Sequence, residues 1–403
     1  MTKGTPTRAK AATKKPKTTS TKATKAKTKS TSATAKRSPA KTKDASANPF
    51  FKVLKAPRHN FDVNEIGRLF QSVSEPRVDT LAAALSGYIR ENLPATFEKR
   101  NGLADYRTNP YVLMTSASAM NLDAPAAFGT FLFNSKLYMA LETSFGKSIE
   151  AAFVAQYPIT TENKWIEAPE KRAEFNALEG LSREAKAKRR VASVWREIDK
   201  SVVVGTRRYL TSIKSGPNTI NDTQVQGMTT AIIDHYRTWL SESRKTYPGV
   251  EELDVVLGLT YGTDKTTNNK ENQILVKLME NGFVEGDRTN KPGVLIDRET
   301  RSVRVYRRIG KDFWAFIGQP DSVSSASHVF LEILLGLAKA LSVGLEGADI
   351  EMRINLKLQQ LASALSNLQF PRHSLPDWIK NEFKESELFW FATAMSAFYD
   401  EGI

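Results

Sequence analysis

Cysteine is absent from the chain, and histidine occurs only four times, at His59, His235, His328 and His373. Without cysteine there is no disulfide framework and no thiolate zinc site. The histidines are scattered, with no pair at metal-ligand spacing. His59, in Arg58-His59-Asn60, superficially looks like an HNH nuclease, but no supporting pattern follows it. Long uninterrupted apolar runs are also missing. The most apolar stretch, 329–345, contains Glu332 and Lys339 and is too short and too charged to span a bilayer. No apolar h-region opens the chain, so no secretory leader is read there. These absences predict a soluble, cytoplasmic protein with no membrane partner.

Acidic residues are what the first part of the chain lacks. Residues 1–47 carry 14 lysines or arginines against a single acid, Asp44, so nearly all of the net charge of +14 lies there. The rest of the chain is close to neutral. The segment has almost no large apolar side chain and cannot offset its backbone entropy by burial, which predicts a disordered tail. Its composition (KATKAKTKSTSATAKRSPAK) resembles the tails of histone H1-like proteins. That resemblance implies loose, sequence-independent binding to phosphates, steeply weakened by salt, and association with the nucleoid.

The remainder has what a folded domain needs, since 40% of the chain is hydrophobic. A domain is expected over 48–403, beginning where Asn48-Pro49-Phe50-Phe51 introduces aromatic residues. Its parts read as a helical N-terminal section over 58–158, a core at about 140–262, and strands and helices over 263–403. Ile66, Leu69, Phe70 and Val73, then Leu81, Leu85, Tyr88 and Ile89, fall at helical spacing, with Pro76 expected to separate two helices. Residues 104–120 read as irregular and 123–158 as a long helix. A polar connector is read over 159–181 and a basic helix from Ser182. Strands are expected at 253–261, 293–296, 303–308 and 312–317, with helices again over 328–398. The fold class is therefore α/β, a mixed central sheet flanked by helices.

The chain is organised around residues 194–228. Val202-Val203-Val204, the Gly-first pair Gly205-Thr206, and the alternation from Arg207 to Lys214 predict a tight hairpin. Counting outward from that turn pairs Asp199 with Ser212 and Glu197 with Lys214. Strand alternation then puts all four on one face. Phosphodiester hydrolysis needs a divalent metal, which takes hard oxygen ligands, and a nearby lysine stabilises the charge that develops. Glu197, Asp199 and Lys214 offer both. The competing reading is a cross-strand Glu197–Lys214 ion pair on a solvated face, worth little.

Other motifs are weaker. Gly146-Lys147-Ser148 lacks the glycine a phosphate loop requires five positions earlier, where Leu141 stands. Asn221 and Gln224 form a capping-box pattern. With Asn218 they either contact DNA or only build the turn and cap. Lys188 and Arg189, in the run REAKAKRR, either meet phosphates or form a solvated helical face.

The runs EIDK and RRYLTSIKSGPNTIND, with ETSFGKSIE upstream, resemble type II restriction endonucleases of the PD-(D/E)xK superfamily, and within it the PmeII family. The likeness covers most of 49–403, down to LFWFATAMSAFYDEGI, and excludes the tail. It implies a restriction-endonuclease-like core, Mg2+-dependent cleavage of double-stranded DNA at a specific site, a homodimer, and a cognate DNA methyltransferase as genetic partner. It makes Asp199 the first acid, binding Mg2+, and Lys214 the motif lysine. Glu150, in Gly-x-x-x-Glu, becomes the helical glutamate aimed at the metal. The departure is Ser212, which stands where the superfamily carries its second acid. Glu197, Glu150 and Glu142 are the candidates to replace it. Ser212 also favours the alternative of a catalytically weak or inactive DNA-binding or architectural protein. An RNA-processing nuclease is a third possibility.

Overall fold

The computed structural model describes residues 62–149, 154, 157, 163–216, 220–265, 270–286, 293–345, 349–368, 373 and 375–395. By internal contacts the chain divides after Asn60. The basic tail expected over 1–47 and the border at Asn48 lie outside the described residues.

The first helices are α1 (Val63–Phe70), capped by Asp62, and α2 (Glu75–Glu98). Pro76 does not separate two helices as expected. It sits in the first turn of α2, where its missing N–H has no intrahelical partner to lose. The region 104–120 is not irregular throughout, because Asn109 and Pro110 cap and start α3 (Pro110–Ala119). Next come α4 (Pro125–Ser148), α5 (Pro169–Asn176) inside the expected connector, and α6 (Arg183–Val191), capped by Ser182 as the basic run suggested.

β1 (Lys200–Val204) and β2 (Arg207–Lys214) form the expected hairpin. Gly205 has φ +58, and Thr206 is not among the positive-φ residues, as a Gly-first turn requires. Val204 pairs with Arg207 and Lys200 with Thr211, in the predicted register. The long helix α7 (Asp222–Thr246) then crosses over to β3 (Glu252–Leu259), which lies parallel to β2. After α8 (Lys270–Glu280), strands β4 (Phe283–Glu285), β5 (Leu295–Asp297) and β6 (Val303–Ile309) complete a mixed six-stranded sheet of order β1-β2-β3-β6-β5-β4. β6 runs parallel to β3, while β4–β5 and β5–β6 are antiparallel.

The strand expected at 312–317 is instead the helix α9 (Lys311–Gly318). Residues 313–317 are all buried, so the run has no polar period to separate strand from helix. The C-terminal part is helical as expected: α10 (Val329–Leu345), α11 (Ile350–Ser366), α12 (Asp377–Glu382) and α13 (Glu385–Met395). By length and composition the apolar stretch over 323–344 exceeds the sequence reading and is long enough to cross a bilayer. In this fold α10 packs with α2 and α9, and its fully buried Glu332 accepts from the Ser74 N–H, Arg77 and Tyr157.

The sheet is covered on both faces. Leu210, Val255 and Leu257 pack with Val225, Met228 and Ile232 of α7 and Ile274 of α8. Tyr209, Ile213 and Val256 pack with Leu81 and Leu85 of α2, Phe313 and Phe316 of α9, and Ile333 of α10. A separate cluster joins α3, α4, α11 and α13. Burial on both sides explains why β2 and β3 read as near-continuous apolar runs. Arg208, Asp254 and Asp297 are charges buried within the sheet. Asp254 of β3 accepts from Arg304 Nε at 2.8 Å and Nη2 at 2.9 Å, and from the Tyr306 hydroxyl at 2.9 Å.

Candidate active site

Residues 194–197 form a turn, and β1 begins only at Lys200, so Glu197 and Asp199 do not lie on a regular strand. The backbone there is held by side chains. Trp239 Nε1 donates to the Val194 carbonyl at 3.1 Å, and the Trp195 N–H donates to Ser193 Oγ at 3.1 Å. Lys171 Nζ donates to the Ile198 carbonyl at 2.6 Å and reaches that of Arg196 at 3.5 Å. Its neighbour Glu170 takes both terminal nitrogens of Arg208, each at 2.8 Å. That guanidinium, 0% exposed, lies between the rings of Trp195 and Tyr247, with centroids at 5.3 and 5.0 Å. Burial pushes the Glu170 carboxyl upward, but hydrogen bonds from Arg208 and Thr246 outweigh it and hold the carboxyl below the usual range.

Asp199 departs from the expected pairing. Its N–H donates to the Thr211 carbonyl at 2.8 Å, although Thr211 is the ladder partner of Lys200. Two residues therefore oppose one, the pattern of a β-bulge, and the alternation resets there. Asp199 is not presented opposite Ser212. Its Oδ2 accepts from the Ile213 N–H at 2.6 Å, while Oδ1 has no hydrogen-bond partner among the described residues. Asp199 lines a groove with Glu167, Lys171, Arg172, Asn176 and Lys200.

Glu197, Ser212 and Lys214 do come together, though not by ladder pairing. They line a small cavity of about 20 Å³ with Gln224, over an apolar floor that includes Met228, Leu257 and Ile274. The cross-strand ion pair is not formed. Glu197 Oε1 lies 3.4 Å from Arg196 Nε, and among the described residues no carboxylate is within ion-pair distance of Lys214. Ser212 is 1% exposed, and its Oγ has no hydrogen-bond partner. The four residues expected on one face are thus divided, with Asp199 in the groove and the other three in the cavity.

Of the remaining candidates, Glu150 and Asn218 lie outside the described residues. Glu142 accepts from the Tyr261 hydroxyl at 3.1 Å. The Tyr261 ring covers Gly216, where a Cβ would come within 2.1 Å of it, so this carboxylate of α4 is pinned beside the loop that follows Lys214. Burial, and then the bond to Glu142, pushes the Tyr261 phenol up. Asn221 and Gln224 cap α7 reciprocally, each accepting the other's N–H at 2.9 Å. Lys188 and Arg189 are exposed in the last turn of α6, without an ion-pair partner among the described residues. Trp314, in the run read as a strand, is buried and donates Nε1 to the Thr260 carbonyl at 2.9 Å. Glu170, Lys171, Arg208 and Tyr261 were not singled out from the sequence, and their partners lie too far along the chain for any local spacing to reveal them.

Among the described residues no group of three or more histidines or carboxylates is arranged to hold a metal. Comparison with known proteins finds no matching family model and no matching curated relative.

Proposed function

We propose that the chain is a type II site-specific endonuclease that hydrolyses double-stranded DNA with Mg2+, on a core of the restriction-endonuclease type. One observation carries the reading. The Asp199 carboxylate is docked on the N–H of Ile213, one residue before Lys214, so the candidate acid is held by the backbone beside the candidate lysine although the two side chains line different surfaces. The sequence resemblance assigns chemistry to those two positions.

No three donors are gathered for Mg2+ among the described residues, so the reading calls for an ion held through one or two carboxylates. Mg2+ keeps several waters and binds through one or two carboxylates together with substrate phosphate. Asp199 offers a free oxygen, and Glu197 is the carboxylate that shares a cavity with Lys214. Glu150 is the further donor that the resemblance implies. A divalent cation held there supplies activation of water and screening of the phosphate charge. Lys214 carries an ammonium that no carboxylate among the described residues neutralises, which leaves it available to the charge developing on the scissile phosphate. Lys188 and Arg189, close in sequence to the acidic turn, supply backbone contacts. The reading brings with it a homodimer with one site per strand, a cognate methyltransferase that protects host DNA, and a cytoplasmic location.

A second reading is favoured by Ser212, a poor metal ligand where an acid is expected: a DNA-binding or architectural protein that cuts weakly or not at all. Incubating plasmid DNA with the full chain and Mg2+, with and without EDTA, separates the two. Discrete fragments lost in EDTA and in Lys214→Ala support the endonuclease. Retardation without cutting supports the second reading, and preferential cutting of an RNA substrate in a parallel reaction would replace DNA as the target.

A further inference from the structure

We infer that Lys171 is a positioning residue for the acidic turn, holding the 196–199 backbone so that the free oxygen of Asp199 faces the groove. The inference rests on the endonuclease reading and extends it to a residue that no motif includes. Lys171 is nine-tenths buried. Burying an ammonium is costly unless it is paired, yet among the described residues no carboxylate lies within ion-pair distance of Nζ. Its short bond goes to the Ile198 carbonyl at 2.6 Å, with the Arg196 carbonyl at 3.5 Å and the Phe175 ring at 5.7 Å. A buried cation that serves main-chain carbonyls fixes the peptide planes it touches, and the Ile198 carbonyl belongs to the peptide that carries the Asp199 N–H.

The surroundings lead to the same conclusion. Asp199 and Lys171 line one groove, but the ammonium is directed at carbonyls, so it does not neutralise the carboxylate. On its other side Asp199 is tied to β2 twice, through its N–H to Thr211 and its Oδ2 to Ile213. Lys171 is itself held in place because Glu170, the preceding residue of α5, grips the buried Arg208 of β2. Together, α5 clamps the bulge from outside while β2 holds it from inside. Remove the ammonium and two carbonyls lose their donor, the turn gains freedom, and the acid loses its fixed direction.

The test measures metal affinity, not cutting. Mn2+ alone is titrated into the full chain and its binding followed by the loss of the free-ion paramagnetic resonance signal, with Mg2+ as competitor. Asp199→Asn is expected to abolish the competitive site. Lys171→Met is expected to weaken it by about 10- to 100-fold, the usual effect of losing a residue that orients a ligand. Lys171→Arg, which keeps a buried donor, is expected to recover most of the affinity. DNA retardation in EDTA should be unchanged in both Lys171 variants. If Lys171→Met does not melt cooperatively, Lys171→Gln takes its place with the same readings. Wild-type affinity in Lys171→Met, with Asp199→Asn defective, overturns the inference alone. If Asp199→Asn binds Mn2+ like wild type, the metal assignment of the endonuclease reading falls, and this inference with it.

Discussion

Replacing Glu170 by glutamine tests how the acidic turn is supported. The substitution keeps the shape and one acceptor oxygen but removes the charge opposite Arg208, whose side chain is 0% exposed while that of Glu170 is 12% exposed. Breaking a buried pair from one side typically costs about 3–5 kcal/mol, because the remaining charge is left uncompensated. Arg208 retains Ser243 Oγ at 3.0 Å and its two aromatic neighbours, which places the cost near ~3 kcal/mol, the lower end of that range. Unfolding entropy of about 2.1 cal/mol/K per residue, applied to the unit over 61–403, converts this to a fall in Tm of about 4 °C. The pH dependence provides an internal control. The Glu170 carboxyl is held below its ordinary value of 4.5 in the folded protein. A depressed carboxylate contributes stability that is complete above the unfolded value and is lost as pH falls through the folded one. Thermal melts of wild type and Glu170→Gln should therefore differ fully at neutral pH and converge on acidification below the glutamate range. A neutral-pH difference under about 1 kcal/mol, the size of an exposed pair, would refute the argument. So would a difference that persists unchanged into acid.

Ser212→Ala removes a buried hydroxyl with no partner, so it should leave stability unchanged or raise it by up to ~1 kcal/mol; clear destabilisation in a denaturant titration would mean the hydroxyl is satisfied in solution. Gly216→Ala should displace the Tyr261 ring, since the added Cβ would come within 2.1 Å of it, and Tyr261→Gly in the same chain should relieve the defect. Equal melting of Gly216→Ala and wild type would show that the contact is slack. On the endonuclease reading, deleting residues 1–47 should flatten the salt dependence of DNA binding without moving the cut position, because the deleted charge is spread over a segment of biased composition and not a recognition motif. A shifted cut site would assign sequence reading to that segment.

The hairpin was legible because its information is local. Gly205 supplies the positive φ and the alternation from Arg207 supplies the strand, so the register from Lys200 to Thr211 could be counted from the turn. The Asn221–Gln224 cap was legible for the same reason. The count failed one residue beyond the strand. The bulge at Asp199 depends on a bond to the Ile213 N–H and on Lys171, neither of which alters hydrophobic periodicity. In α9 the ambiguity was of another kind: with every residue from Phe313 to Ile317 buried, strand and helix produce the same apolar string. Glu197 reached the cavity with Lys214 as expected, but through a turn and not through a ladder.

Asp254 has an effect at the opposite end of the strands from where it sits. It is level with Tyr209 on one side and Arg304 on the other, and Arg304 clasps it with two nitrogens. Arg207 Nε of β2 also lies 3.5 Å from it, so sliding either neighbouring strand by one repeat would cost that buried carboxylate a cation, and the three parallel strands are keyed at a single height. The same key fixes where they end, with Lys214 level with Leu259 and Ile309. An acid that lines neither the groove nor the cavity thus acts as the datum from which the position of Lys214 is measured.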